Sequence, residues 1–153
     1  MYQSAMSTYQ QSNFFTASPA QLVLMCYDGA ISNLKLARDA YLEKDYYSKG
    51  KALQKTFDII HELNASLDTE KGGIVAANLR GLYMYLIQSL TEADLKKDMA
   101  TFDRSIRILE ELATAWRAIS TSKEVSAAEE PLPARAMSYS LPSSKPALAM
   151  AWV

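Results

Sequence analysis

Residues 16–36 read TASPAQLVLMCYDGAISNLKL, and the folding of this stretch constrains every other part of the chain. Ser18 offers a side-chain oxygen to the unpaired N–H groups of a first helical turn. Pro19 has no N–H to leave unpaired, and Gln21 stands where its amide reaches back to the cap. A helix therefore starts at Pro19. Beyond it the apolar residues fall on two faces. One stripe is Leu22, Met25/Cys26, Gly29, Asn33, Leu36, Ala40, and the second is Leu24, Tyr27, Ile31, Leu34, Tyr41. Both advance by threes and fours, the spacing of a helical face. A helix on the outside of a bundle needs one such stripe. The second must be covered, by more of this chain or by another protein.

Three further helical segments follow. The first helix is expected from Pro19 to Glu43, and Gly29 within it costs roughly 1 kcal/mol against alanine, which suggests close approach of a neighbour there. After Lys44-Asp45 a second helix, Tyr46 to Leu67, carries Leu53, Phe57, Ile60, Asn64 and Leu67 on one face. The segment DTEKGG at 68–73 reads as a turn. A third helix, Ile74 to Ala93, carries one charge, Arg80, in IVAANLRGLYMYLIQSL. Leu79, Leu82/Tyr83, Leu86 and Leu90 make its core face, while Val75, Asn78, Gly81, Tyr85 and Gln88 make another. A helix apolar nearly all round is either buried or covered by a partner, and a four-helix domain fully surrounds none of its helices, which favours a partner. The fourth helix, Asp98 to Ile119, repeats Met99, Phe102, Ile106, Leu109, Ala113, Trp116 with charges elsewhere, so a structural role suffices. Short connections make successive helices antiparallel. The fold class is therefore all-α, an up-down-up-down four-helix bundle.

The 153 residues are 49% hydrophobic and 22% charged with net charge −1, which suits one globular domain and excludes the basic stripe of a nucleic-acid binder. Residues 1–27 hold no charged side chain, but they lack the basic start and continuous apolar centre of a signal peptide, and no run is long enough to span a membrane. The lone cysteine, Cys26, reads as a small buried hydrophobe and fits a reducing cytoplasm. One histidine, His61, supplies neither a catalytic set, nor a zinc site, nor the paired Glu-x-x-His of a di-iron bundle. The expectation is a protein that is not an enzyme, with no cofactor and no metal.

The ends differ from the middle. Residues 1–15, MYQSAMSTYQQSNFF, read either as a frayed terminus or as a detachable cap, with Tyr2, Met6 and Tyr9 on one helical face. From Ser120 to Val153 four of the five prolines accumulate and no helical stripe persists, so 120–153 reads as a disordered or loosely docked tail after a bundle domain of 1–119.

The blocks SPAQLVLMCYDGAI, IIHELNASLDTEKGGIVAANLRGLYMYL and LEELATAW, in this order and spacing, resemble the FliS family of flagellin export chaperones over residues 2–119. Met84 stands where the family's Leu-Tyr block, here Leu82-Tyr83, is usually followed by an acidic residue, and Cys26 stands where leucine is more usual. The resemblance implies an antiparallel four-helix bundle that holds the disordered C-terminal segment of flagellin before type III export. It also implies an N-terminal piece, around Tyr2 to Tyr9, that covers part of the site and moves aside. The candidate contacts are Tyr2, Met6 and Tyr9 in the cap, Leu24, Tyr27, Ile31 and Leu34 in the first helix, and Tyr83, Met84 and Ile87 in the third. A groove lining is favoured for Tyr27, Tyr83 and Met84, whereas the Leu and Ile positions fit a core equally well. An export-gate component is a second expected partner. The competing reading is a structural bundle whose second stripe forms a weak homodimer.

Overall fold

Ser18 caps the first helix as its sequence requires. Its hydroxyl accepts from the Gln21 N–H at 3.2 Å, and the Gln21 side-chain oxygen accepts from the Ser18 N–H at 2.9 Å. The structure, a computed structural model, describes residues 18–129, and among these it contains four helices and no strand. They are α1 (Pro19–Leu42), α2 (Tyr46–Ala65), α3 (Thr69–Lys96) and α4 (Met99–Glu129). Each later helix starts on an aspartate that accepts from first-turn N–H groups: Asp45 from Ser48, Asp68 from Glu70 and Lys71, Asp98 from Thr101. Such a cap contributes about 1 kcal/mol relative to alanine.

Contacts between helices fix their directions. Along α1 and α4, Asp28 meets Arg117, Lys35 meets Glu110 and Arg38 meets Asp103, so one chain order rises as the other falls. In the same sense Tyr41 of α1 stacks edge-on with Tyr46 at the start of α2, while a side chain at Gly29 would touch Ile59. Asn64 near the end of α2 reaches Met84, and Lys49 near its start pairs with Asp94. Neighbours are antiparallel, and the expected up-down-up-down order is present. α1 packs against α2 most extensively and next against α4, whereas α3 makes smaller contacts with α2 and α4.

Tyr27, Leu34, Ile60, Leu63, Tyr83, Leu86, Leu90, Phe102 and Leu109 fill the interior with almost no exposure. Each fully buried side chain of this size is worth roughly 1.5–3 kcal/mol. The close approach expected at Gly29 is present. A Cβ there would lie 3.3 Å from the end of the Ile59 side chain.

Several boundaries differ from the sequence-based expectation: α1 ends at Leu42 rather than Glu43 and α3 at Lys96 rather than Ala93. α2 stops at Ala65 rather than Leu67. The expected turn at 68–73 is instead one capped helical turn followed by Gly73 at φ 54°, ψ −130°, and α3 is continuous from Ile74 on. The largest difference is at α4, which runs to Glu129 rather than Ile119. Residues 120–129 lose the apolar stripe but hold no glycine or proline, so nothing breaks the backbone before Pro131. The expected tail is thereby shortened, and its remainder, 130–153, lies outside the described residues, as does the segment 1–15.

Gly73 occupies a conformation that side chains resist, whereas Gly50 is helical with open space around it. Replacing Gly73 with alanine is expected to lower stability by about 1–2 kcal/mol, and Gly50→Ala to raise it by up to about 1 kcal/mol. Urea denaturation of both variants checks the opposite signs.

Candidate interaction surface

The second stripe of α1 turns out to be internal. Tyr27 and Leu34 are buried, and Leu24 and Ile31 are half-buried, with Ile31 packed on the core. Their cover is this chain's own helices, because α1 lies against α2 and α4 and faces α3 across the centre. Tyr83 is likewise wholly buried, and its hydroxyl lies 2.5 Å from that of Tyr27. The expectation that these two tyrosines line an open groove is therefore corrected. The phenols hydrogen-bond to each other across the middle of the bundle, and that bond is what lets polar tips sit among leucines.

α3 is different. Its side turned from the core displays Ile74 at 75% exposure, Tyr85 at 55% and Met84 at 46%, and Val75, 57% exposed, sits half a turn from Met84 at the start of the helix. Asn78, Gly81 and Gln88 lie exposed between them, and from Ile74 to Thr91 the only charged residue is Arg80. Ile87 is half-buried beside Met84. Of the ten candidate contacts, Met84 is thus on the open surface, Ile87 is half-buried beside it, Leu24 and Ile31 are half-buried on α1, and Tyr27, Leu34 and Tyr83 are inside. Tyr2, Met6 and Tyr9 lie outside the described residues.

Ile74, Val75 and Tyr85 belong to the surface and were not among the candidates. The stripe Val75, Asn78, Gly81, Tyr85, Gln88 was the available signal. Tyr83 and Tyr85 are two residues apart, about 200° around a helix, so only one of them can face outward.

The seam between α3 and α4 extends this surface. On α4 the edge Asp103, Glu110, Arg117 pairs with α1. Ile108, Leu112 and Ile119 repeat at helical spacing away from that edge, on the α3 side. The first two are half-buried and Ile119 is exposed. On the α2 side, the Asn64 amide N–H₂ points at the Met84 sulfur at 3.9 Å, and the Asn64 Oδ1 has no hydrogen-bond partner.

The ionisable groups inside the bundle are held neutral. Burial, with the nearby Glu62 charge adding to it, pushes the Cys26 thiol up to about 11. Burial pushes the Tyr27 phenol up to about 12 against the opposing effect of its bond to Tyr83, and burial raises Tyr83 as well. A protonated buried thiol is a poor nucleophile. Among the described residues no group of three His, Cys, Asp or Glu side chains is placed to hold a metal ion, and no helix is long and apolar enough to cross a membrane.

Comparison with known proteins gives the family. The family described as "Flagellar protein FliS" matches residues 1–123. The chain belongs to the FliS family. It is 42% identical over 111 residues to the flagellar secretion chaperone FliS of Salmonella typhimurium, spanning 72% of this chain and 82% of that one. The FliS of Vibrio cholerae is 36% identical over 105 residues, 69% of this chain and 77% of its own. The chaperone FliSB of Pseudomonas aeruginosa is 34% identical over 120 residues, 76% and 95% respectively. FliS relatives carry the name of chaperones rather than of enzymes.

Two expectations follow for the interior of this FliS chain. Removing either hydroxyl, by Tyr27→Phe or Tyr83→Phe, strands its buried partner and should cost about 1–3 kcal/mol. The double variant should cost clearly less than the two single effects added, as urea denaturation of all four proteins will show. The thiol and the Tyr27 phenol ionise in the unfolded chain near their ordinary 9.0 and 10.0 but only near about 11 and about 12 in the fold. The folded state keeps these protons longer. Stability is therefore full below pH 9 and declines as pH rises from 9 toward 12, measurable as a falling thermal midpoint.

Proposed function

We propose that the outward face of α3, with the seams that flank it, holds the disordered C-terminal segment of flagellin in the cytoplasm and keeps it from polymerising before type III export. The observation that carries this reading is the run of exposed apolar side chains from Ile74 to Tyr85 on a helix with a single charge in that stretch. The names of the relatives, flagellar secretion chaperones, supply the context of export.

Area decides between a pocket and a strip. A chain that folds as it binds buries on the order of 1,000–3,000 Å² and gives up a few kcal/mol in ordering itself. A strip running the length of a helix offers such an area, in the mode of an amphipathic helix laid in a groove. Tyr85 and Met84 suit it for different reasons. Tyrosine combines apolar area with a hydroxyl that can meet a guest backbone, and methionine reshapes itself to an irregular partner. Displacement of Met84 by the guest would also open the unpartnered Asn64 oxygen to a guest N–H.

In this reading Ile87 is a margin of the contact, while Leu24 and Ile31, on the opposite helix, lie outside it. Tyr27, Leu34 and Tyr83 act from beneath, by setting the position of α1 and α3. The uncharged segment bearing Tyr2, Met6 and Tyr9 covers part of the apolar surface until flagellin arrives, which limits self-association. Delivery to an export-gate component follows capture.

Titration of the purified protein with a flagellin C-terminal peptide, followed by light scattering, tests the proposal. A one-to-one complex is expected, and a dimer indifferent to the peptide would favour the structural bundle. Val75→Glu and Tyr85→Glu should each weaken capture at least tenfold, about 1.4 kcal/mol, with helicity by circular dichroism unchanged. Tyr83→Glu should instead unfold the bundle.

A further inference from the structure

We propose that Met84 is an oxidation site: a peroxide converts its thioether to a sulfoxide, the Asn64 amide holds the new oxygen, and the α3 face loses grip on a guest. The loss of capture rests on the proposed function, whereas the modification and its partner do not.

Exposure selects the sulfur. Met84 is 46% exposed, while Met25 and Met99, the other methionines among the described residues, are half-buried. Oxidation of sulfur follows access. Cys26, the one thiol, is buried, and with its ionisation pushed up to about 11 it holds almost no thiolate for a peroxide to meet.

Geometry selects the partner. The Asn64 side-chain N–H₂ donates to the Met84 sulfur at 3.9 Å across the α2–α3 seam, and this is its one side-chain hydrogen bond among the described residues. A thioether is a weak acceptor. The Asn64 Oδ1 is buried with no partner at all, so the amide is poorly satisfied as it stands. An oxygen one bond beyond the sulfur, on the α2 side, falls about 2.7–3.2 Å from the amide nitrogen, the distance of an ordinary N–H···O bond. A sulfoxide oxygen is a far better acceptor than the sulfur it is joined to. The contact is therefore better paired after oxidation than before.

Hydrogen peroxide alone supplies the reaction. The sulfur lone pair attacks one peroxide oxygen and the O–O bond breaks. The other oxygen leaves as hydroxide, takes the proton of the transferred oxygen, and departs as water. Sulfur loses two electrons and the peroxide gains them. Sulfoxide reductases reverse the change. While it lasts, the side chain carries a polar group into an apolar contact and is tied to α2, so it neither packs on a guest nor moves aside for one.

The test treats the folded full chain with hydrogen peroxide, removes the peroxide with catalase, and maps the products by peptide mass. Met84 should convert about fivefold faster, or more, than Met25 and Met99. The Asn64 side-chain amide proton resonances should move downfield on oxidation and return after reductase treatment. A flagellin C-terminal peptide should bind the oxidised chain about fivefold more weakly, or about 1 kcal/mol. The affinity of Met84→Leu, whatever its value, should be the same before and after peroxide. Equal conversion at Met25 or Met99 overturns the choice of sulfur, and unmoved Asn64 resonances overturn the pairing. If Met84→Leu loses affinity to peroxide as the native chain does, the effect on capture belongs to another residue and that part fails. If the peptide binds neither the reduced nor the oxidised chain, the proposed function fails, while the mass map and the resonances still decide the modification.

Discussion

The bundle is organised about one hydrogen bond, that between the hydroxyls of Tyr27 and Tyr83. α1 and α3 stand diagonally opposite, with α2 and α4 between them, so little else connects the two directly. Two phenols at the centre do so at a distance that aliphatic side chains could match only with less directional contact. Pairing also removes the penalty that either hydroxyl would carry alone among Leu34, Leu86 and Leu109. With the burial of Ala76, Leu86, Leu90 and Ala93, and the Tyr41 hydroxyl on the Asp94 carbonyl, the bond sets the rotation of α3, and so which of that helix's apolar residues point outward.

That rotation explains the asymmetry of the molecule. α1 is wrapped by α2 and α4 and joined to α3, so both its stripes are used in holding the chain together. α3 has narrower contacts with its neighbours and keeps Ile74, Val75, Met84 and Tyr85 in solvent. A four-helix ring with one well-wrapped member and one loosely held member is a reasonable way to combine a stable core with a face free to accept a guest. The close packing resides on one side and the exposed apolar area on the other.

Much of this was legible in the sequence, and the failures have definite causes. Ser18, Pro19 and Gln21 announced α1, and the three- and four-residue spacing announced every helix and its direction. Gly29 marked a close helix contact. Periodicity cannot tell whether a second apolar stripe is covered by the same chain or by another, and so Tyr27 was assigned to a surface it does not occupy while Leu34 was left open between surface and core. The spacing already set Tyr83 with the core face and Tyr85 with the other stripe, and naming Tyr83 as a contact went against that pattern. Loss of an apolar stripe after Ser120 was read as loss of helix, although a backbone without glycine or proline needs no stripe to continue. Gly73 was legible as a breaker, yet its place one turn inside α3 was not.

The ion pairs also divide the molecule. Asp28–Arg117, Lys35–Glu110 and Arg38–Asp103 all lie on the α1–α4 flank, and the exposed strip of α3 has almost no charge. Dissolved salt screens exposed pairs of that kind over distances near 10 Å, and leaves apolar contact largely untouched. A rise in ionic strength would therefore weaken the pairs on the α1–α4 flank while leaving the apolar strip of α3 as it was.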